Sequence, residues 1–398
     1  GEETCCPDQT HGDVCCIAAD TYCCPAQPAF GLPSRCCPHW MVCCTIGGRY
    51  GCCDPGKKKR DVDQIQSTPA KAYGLMYSGF QSGDGIYAMD LDVSSATYTS
   101  HPTPGFTANG QEIPRLFTYN SRLALFHMAH TNWQRHAPQP RPVTLWSVDP
   151  SSGHVVSSAL AGVTGQVTGY AYNALRDVVL LGTADLAKND TVRTAYHFWA
   201  VRVLSNGQHT SVTKLSSIAN AAGQDNYAGW FKQTSLDGTH TYRLGFKEPK
   251  TSSTSGLGIT DIRSKVASVS FHHVLPAKGF AWYQTFTVAP NGQFLSLAGP
   301  DGNPDGELSL LEWSLSTQPK TIAHLGDAHR TLNFGPLAEA VNGTTFGALV
   351  LQTSIVSKKL DRWALATVDT VSGAHSLQPL SPWTVGETDT PCGLGFQI

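Results

Sequence analysis

The residue run with the most specific chemistry is Asp301-Gly302-Asn303-Pro304-Asp305-Gly306-Glu307-Leu308-Ser309-Leu310-Leu311-Glu312, which fits the calcium-loop pattern D-x-[DN]-x-[DN]-G-x₅-E. Hard cations take clustered carboxylate and carbonyl oxygens, and the central glycine supplies a sharp turn. Glu312 falls on a predicted strand, roughly 20 Å of extended chain beyond Gly306, too far to reach the ion. The expected Ca²⁺ ligands are therefore Asp301, Asn303, Asp305, the Glu307 carbonyl and Ser309. The competing reading is a metal-free turn built on Gly, Pro and Asp.

Three histidines, His127, His130 and His136, raise a transition-metal site. On a strand, His127 and His130 would face opposite sides, which disfavours it. There is no G-x-S-x-G elbow, no H-E-x-x-H and no P-loop, so the chain is expected not to be an enzyme.

Cysteine usage points to a compartment. Twelve of the 13 cysteines lie before residue 54, all as adjacent pairs: Cys5-Cys6, Cys15-Cys16, Cys23-Cys24, Cys36-Cys37, Cys43-Cys44 and Cys52-Cys53. So dense and even a cluster reads as a disulfide framework, which persists in oxidising compartments. Neighbouring residues on extended backbone point to opposite faces, so each pair bridges two neighbours and makes a ladder of stapled turns. Few large apolar residues lie here, and bridges must replace a core. Zinc competes, but its cysteines are usually spaced C-x₂₋₄-C. The segment Val42-Cys43-Cys44-Thr45-Ile46-Gly47-Gly48-Arg49-Tyr50-Gly51-Cys52-Cys53-Asp54-Pro55 resembles the granulin (epithelin) repeat. That resemblance implies a stack of stapled hairpins over residues 1–54. It departs in having doublets throughout, where granulins begin and end on single cysteines. Cys392 is the odd one out, expected to be buried on a closing strand.

Composition agrees with secretion. Charged residues are 15% of the 398, against a usual value near 25%. The formal net charge of −2 argues against nucleic acid or an anionic membrane as partner. No apolar run is long enough to span a bilayer. The expected location is extracellular, with a signal peptide already removed, and Asn189 and Asn342 are candidate glycosylation sites. Residues 55–70 read as a linker, whose Lys57-Lys58-Lys59-Arg60 run is either a processing site or a solvated hinge.

Repeats organise residues 71–398. Five hairpin-like segments recur: FTYNSRLALF from Phe117, YAYNALRDVVLL from Tyr170, FKQTSLDGTHTYRL from Phe231, FTVAPNGQFLSL from Phe286 and LAEAVNGTTFGALVL from Leu337. Each pairs two apolar-alternating strands through a polar turn. A third strand follows each, ending at Asp149, Val203, Ile262, Leu315 and Asp369, with GIYAMDLD ending at Asp92 ahead of them all. Units of roughly 55 residues with four strands predict an all-β, six-bladed β-propeller. The first unit lacks its opening strand, and residues 392–398 have that strand's character, so the C-terminus closes the ring. A seven-bladed ring or a sandwich is the alternative. Long loops at 128–142, 185–196, 247–256, 299–307 and 352–361 nominate one face for binding.

The expected function is an extracellular binding or structural protein. Its partners would be copies of itself, through the cysteine module docking on a neighbouring propeller, or an extracellular protein or glycan. The alternatives are a calcium-dependent propeller hydrolase of the lactonase or glycosidase kind, and a granulin-type signalling precursor cut at Arg60.

Overall fold

The computed structural model describes residues 4–6, 14–16, 21–24, 35–38, 42–46, 49–53, 71–77, 85–104, 117–131, 141–187, 193–219, 233–247, 255–273, 280–289, 293–300, 307–313, 319–326, 328–329, 337–340, 344–353, 360–384 and 390–397. Among the described residues every regular element is a strand, set by period-2 alternation between Gly-, Asp- and Ser-rich turns.

In the cysteine module, β1 (Thr4–Cys6) pairs antiparallel with β2 (Val14–Cys16), β3 (Thr21–Cys24) with β4 (Arg35–Pro38), and β5 (Val42–Ile46) with β6 (Arg49–Cys53). Blade 1 takes β7 (Lys71–Tyr77), β8 (Ile86–Asp92) and β9 (Thr97–Pro102). Blade 2 is β10 (Thr118–Asn120), β11 (Leu125–Thr131), β12 (Pro142–Val148) and β13 (Val155–Thr164). Blade 3 is β14 (Gln166–Asn173), β15 (Val178–Leu186), β16 (Arg193–Val203) and β17 (His209–Ala219). Blade 4 is β18 (Gln233–Thr234), β19 (His240–Lys247), β20 (Ser255–Asp261) and β21 (Ser268–His273). Blade 5 is β22 (Phe280–Val288), β23 (Phe294–Pro300), β24 (Ser309–Trp313) and β25 (Lys320–His324). Blade 6 is β26 (Ala328–His329) and β27 (Leu337–Ala340), both paired to β28 (Thr345–Thr353), then β29 (Leu360–Asp369) and β30 (His375–Thr384). The last strand, β31 (Thr390–Gln397), pairs with β7 from Thr390↔Tyr77 to Gln397↔Lys71 and completes blade 1. The innermost strands β31, β10, β14, β18, β22 and β27 touch in cyclic order, so the ring closes as the repeat pattern requires. A single parallel bridge, Ser381↔Thr97, also joins the outer strands of blades 6 and 1.

Each blade buries both faces, and the core is divided among the seams between blades. Ala72, Met76, Met89 and Leu91 of blade 1 pack on Leu349, Leu351, Trp363 and Leu365 of blade 6. Leu75, Tyr77 and Ala88 meet Phe117, Tyr119, Phe126 and Met128 of blade 2. Ala129, Val143 and Leu145 meet Val179, Leu181 and Val201 of blade 3. The remaining seams follow the same plan. β31 serves two of them, with Leu394 and Phe396 against blade 6 and Cys392 towards blade 2. Cys392 is buried and unpaired, and burial pushes its thiol pKa up, as an inert closing-strand residue requires.

The turns between third and fourth strands share one device. Asp92 accepts from Ser94 N at 2.8 Å and Ser94 Oγ at 2.6 Å. Asp149 accepts from Ser151 N at 2.9 Å, and Asp369 from Ser372 N at 2.6 Å. These donors hold the Asp92 and Asp369 carboxyls below their ordinary range, with the Ser94 hydroxyl bond and the Ser372 backbone bond the leading causes respectively. Gly153 and Gly373 lie at φ 72° and 75°, and a Cβ would stand 2.2 Å from Pro102 O or 2.4 Å from Ile322 O. Both oxygens belong to the preceding blade, so these turns set how closely blades stack.

Closure is equally tight at Gly395, where a Cβ would fall 2.0 Å from Tyr119 Cγ. Gly395→Val is expected to destabilise the propeller by about 1–3 kcal/mol through overpacking. Gly299→Ala, which meets nothing within 4 Å, should stay within about 0.5 kcal/mol of wild type. Denaturant melts of both variants check this, and equal midpoints would remove Gly395 from the closure.

Candidate functional site

Of the expected Ca²⁺ ligands, Glu307 and Ser309 fall among the described residues. Asp301, Asn303 and Asp305 lie outside the described residues. Glu307 is exposed at the mouth of β24, while Ser309 is buried, its hydroxyl 2.9 Å from His324 Nδ1. Glu312 lies on β24 and accepts from Gln293 Nε2 at 2.9 Å. Among the described residues no group of three or more His, Cys, Asp or Glu could hold a metal ion. Asn189, Asn342 and His136 lie outside the described residues.

His127 is fully buried on β11, while His130 is partly exposed on the same strand. Ser147 Oγ donates to Gly207 O at 2.8 Å. His127 Nδ1–H must therefore donate to Ser147 Oγ, 3.0 Å away. Asn120 Oδ1 accepts from Arg122 N and Leu123 N, both at 3.1 Å, which turns its amide towards His127 Nε2 at 3.3 Å. Both imidazole nitrogens are thereby used, and the chain of bonds ties blade 2 to the β16–β17 turn of blade 3.

One gathering of polar side chains among the described residues lies at the blade 2–3 seam, on the long-loop end. Leu181, Thr183 and Asp185 alternate along one face of β15, with Trp199 and His197 opposite on β16. His197 Nε2 is 2.9 Å from Asp185 Oδ2, and the imidazole stands edge-on to Trp199 with centroids 6.4 Å apart. Trp199 Nε1 donates to Thr183 Oγ1 at 3.1 Å. The Asp185 side chain is 49% exposed and that of His197 16%, so the carboxylate meets solvent and the imidazole backs it. His197 Nδ1 is buried without a hydrogen-bond partner among the described residues. Arg193, at the start of β16, donates from Nε to Gln166 Oε1 at 3.2 Å, which anchors it to the first residue of the innermost strand. Across the seam, Arg141 is buried at the start of β12, and its carbonyl accepts from Gly165 N at 2.9 Å. Thr131 Oγ1 donates to Gly165 O at 2.8 Å, fixing the crossing from blade 2 to blade 3.

Sequence reasoning bracketed Thr131 and Arg141 within the loop 128–142 and Asp185 and Arg193 within 185–196 without singling them out, and His197 fell just outside. The strands run further than expected: past a bulge, Leu186 still pairs with Arg193, so Asp185 and Arg193 sit on strand ends. An Asp and a His twelve positions apart across a hairpin was the available signal.

No family model matches the chain, and no curated protein matches it. Solved structures do. The Pseudomonas aeruginosa periplasmic gluconolactonase is 13% identical with a TM-score of 0.44, over 82% of this chain and 99% of that one. The β-propeller domain of the trilobed protease from Pyrococcus furiosus is 13% identical at a TM-score of 0.39, over 77% of each chain. Prolyl oligopeptidase B from Galerina marginata is 11% identical at a TM-score of 0.37, over 77% of this chain and 40% of that one. At these values the likeness is to the propeller alone. The expectation of a protein without catalysis is nonetheless corrected: with a gluconolactonase and propeller peptidases among the structures it resembles, the missing motifs exclude nothing.

The buried imidazole has a consequence for pH. Burial lowers the His127 pKa from 6.5 to about 3. The unfolded chain takes up this proton below pH 6.5 and the folded chain does not, so the stability it contributes is lost as pH falls through that window. Between pH 7 and pH 5, wild type is expected to lose about 2 kcal/mol more than His127→Gln. Urea titrations at the two pH values measure this difference, and parallel losses would show a solvated imidazole.

Proposed function

We propose that this chain is a propeller hydrolase of a small polar substrate, a sugar lactone or a glycoside, with its chemistry at the long-loop end of the blade 2–3 seam. The observation that carries the reading is the half-exposed Asp185 carboxylate backed at 2.9 Å by His197. Asp185 is the general base that takes a proton from attacking water, through the oxygen not held by His197. His197 is a positioning residue: it fixes the carboxylate rotamer and offsets its charge from behind. Arg193, set at the same strand end, supplies positive charge towards the developing oxyanion. No step is routed through calcium, whose expected ligands are mostly outside the described residues. The cysteine-rich module is consistent with an oxidising, extracellular setting.

A second reading, self-association, has its own observation. Leu175, Leu204, Val266 and Val371 are the exposed large hydrophobic residues among those described, and all four lie in turns at the end opposite the long loops. Such side chains suit contact with another copy of the chain. Light scattering across a hundredfold dilution tests it: a constant monomer mass would sink this reading and leave the first untouched. Among the described residues no helix is long and apolar enough to cross a membrane.

The hydrolase reading is tested by pH-stat assay on a panel of aldonolactones and aryl glycosides. Asp185→Asn is expected to lower kcat/KM by about 10²–10⁴. His197→Gln should lower it less and shift the acid limb of the pH profile. Wild-type protein inert on the whole panel, or an Asp185→Asn variant as fast as wild type, would end it.

A further inference from the structure

The direction of the strands fixes the end of the propeller to which the cysteine module is tethered. The chain enters the ring at Lys71, which pairs with Gln397 of β31 on one side and Asp92 of β8 on the other. Asp92 opens the turn between the third and fourth strands of blade 1, so the entry lies at the short-turn end. Asp185 and His197 lie at the other end. Residues 54–70 join β6 to β7 and reach about 60 Å when fully extended. Leu175, Leu204, Val266 and Val371 share the short-turn end and are 45% to 78% exposed, although the module of their own chain is tethered there. The first three each have an exposed cation close by in sequence, Arg176, Arg202 and Lys265 respectively. Carboxylates on the same and facing turns are already occupied: Asp177 accepts from Tyr172 and Arg122, Asp237 from Ser235 and Thr239, and Asp261 from Arg263. Residues 1–53 have the opposite balance, with five Asp and Glu against two Arg, an acid excess of three.

We infer that two copies of the chain pair through their short-turn ends, with the cysteine module of each seated over the exposed apolar side chains of the other. This deepens the self-association reading and rests on it, and it stands apart from the hydrolase reading. Three observations select the occupant. Apolar side chains set among cations take an acidic partner, and the module has that charge. The tether holds the module at this end of the ring. The module of the same chain leaves the four side chains open. Symmetry then limits the size of the assembly. A module that leaves one copy at the short-turn end and sits on the same end of a second brings the two ends face to face. The second module lies over the first copy by the same operation, so the contact is self-complementary and closes at two chains. An open filament would need the seat at the long-loop end. In the closed pair both long-loop ends point outward, and Asp185 keeps its access to solvent.

The test uses the full chain. In light scattering across a hundredfold dilution, the mass should fall from that of two chains to that of one and never exceed two. Leu204→Asp, at an exposed turn position, should raise the concentration at half-dissociation by about tenfold while leaving the circular dichroism unchanged. The partner is read by photocrosslinking. Chains carrying Leu204→benzoylphenylalanine are mixed with heavy-isotope chains, irradiated and digested, and position 204 should be joined to a peptide of residues 1–53 from the heavy chain. A link only to residues 1–53 of its own light chain would overturn the exchange. A link only to residues 71–398 of the heavy chain would remove the module from the contact and leave self-association standing. Masses that keep rising beyond two chains would overturn the closed pair. A single-chain mass at every concentration would end the self-association reading and this inference together.

Discussion

The pairing of β31 with β7 is the interaction on which the rest of the propeller depends. Blade 1 supplies its own second, third and fourth strands, and without the C-terminal strand its inner edge would stand open. An unpaired inner edge costs more than seven backbone pairings, because β31 also fills seams on both sides. Leu394 and Phe396 complete the core shared with blade 6, while Cys392 reaches the one shared with blade 2. Each such apolar side chain contributes roughly 1.5–3 kcal/mol on full burial. Ring closure thereby couples β7 and β31, whose Tyr73 and Gln397 are 324 residues apart in sequence, to every intervening blade, since each seam is complete only when both of its neighbours are in place.

The seams also account for which residues are small and which polar residues are internal. Blades stacked around an axis leave no free sheet face, so polar groups that enter a seam must bring partners. Asn173 does so by giving its amide hydrogens to Thr234 Oγ1 and Ser235 O of the next blade. His127 does so through Asn120 and Ser147. Both bridges tie one blade to the next, and both stand near the short-turn end.

Much of this was legible in the sequence because a propeller blade is a local object. Alternating strands, the Asp-Val-Ser-Ser and Asp-Pro-Ser-Ser-Gly turns at 92–95 and 149–153, and the missing first strand can all be read without long-range knowledge. What could not be read was side-chain destination. Ser309 belongs to the calcium-loop pattern, yet β24 begins at that residue and its hydroxyl turns inward to His324. His127 belongs to a histidine-rich stretch, yet the seam closes round it. Asp185 was hidden for the opposite reason: its stretch looked like loop, yet β15 runs through it, with Asp185 paired to Ala195 and Thr183 to His197.

The location of that pair explains how a fold of repeated units acquires one distinctive site. Equivalent strand ends occur on every blade, and the repeat alone would make them alike. In blade 3 the second and third strands run to nine and eleven residues, and they carry side chains beyond the apolar layer of Leu181 and Val201. Extending a strand past the core exposes one residue and half-buries its neighbour, which is the arrangement of Asp185 over His197. A carboxylate so placed has water on one side and a low-dielectric wall on the other, so its interaction with the imidazole is stronger than the same contact would be on an open surface. Extension of β15 and β16 past the core is thus what sets this carboxylate over its imidazole.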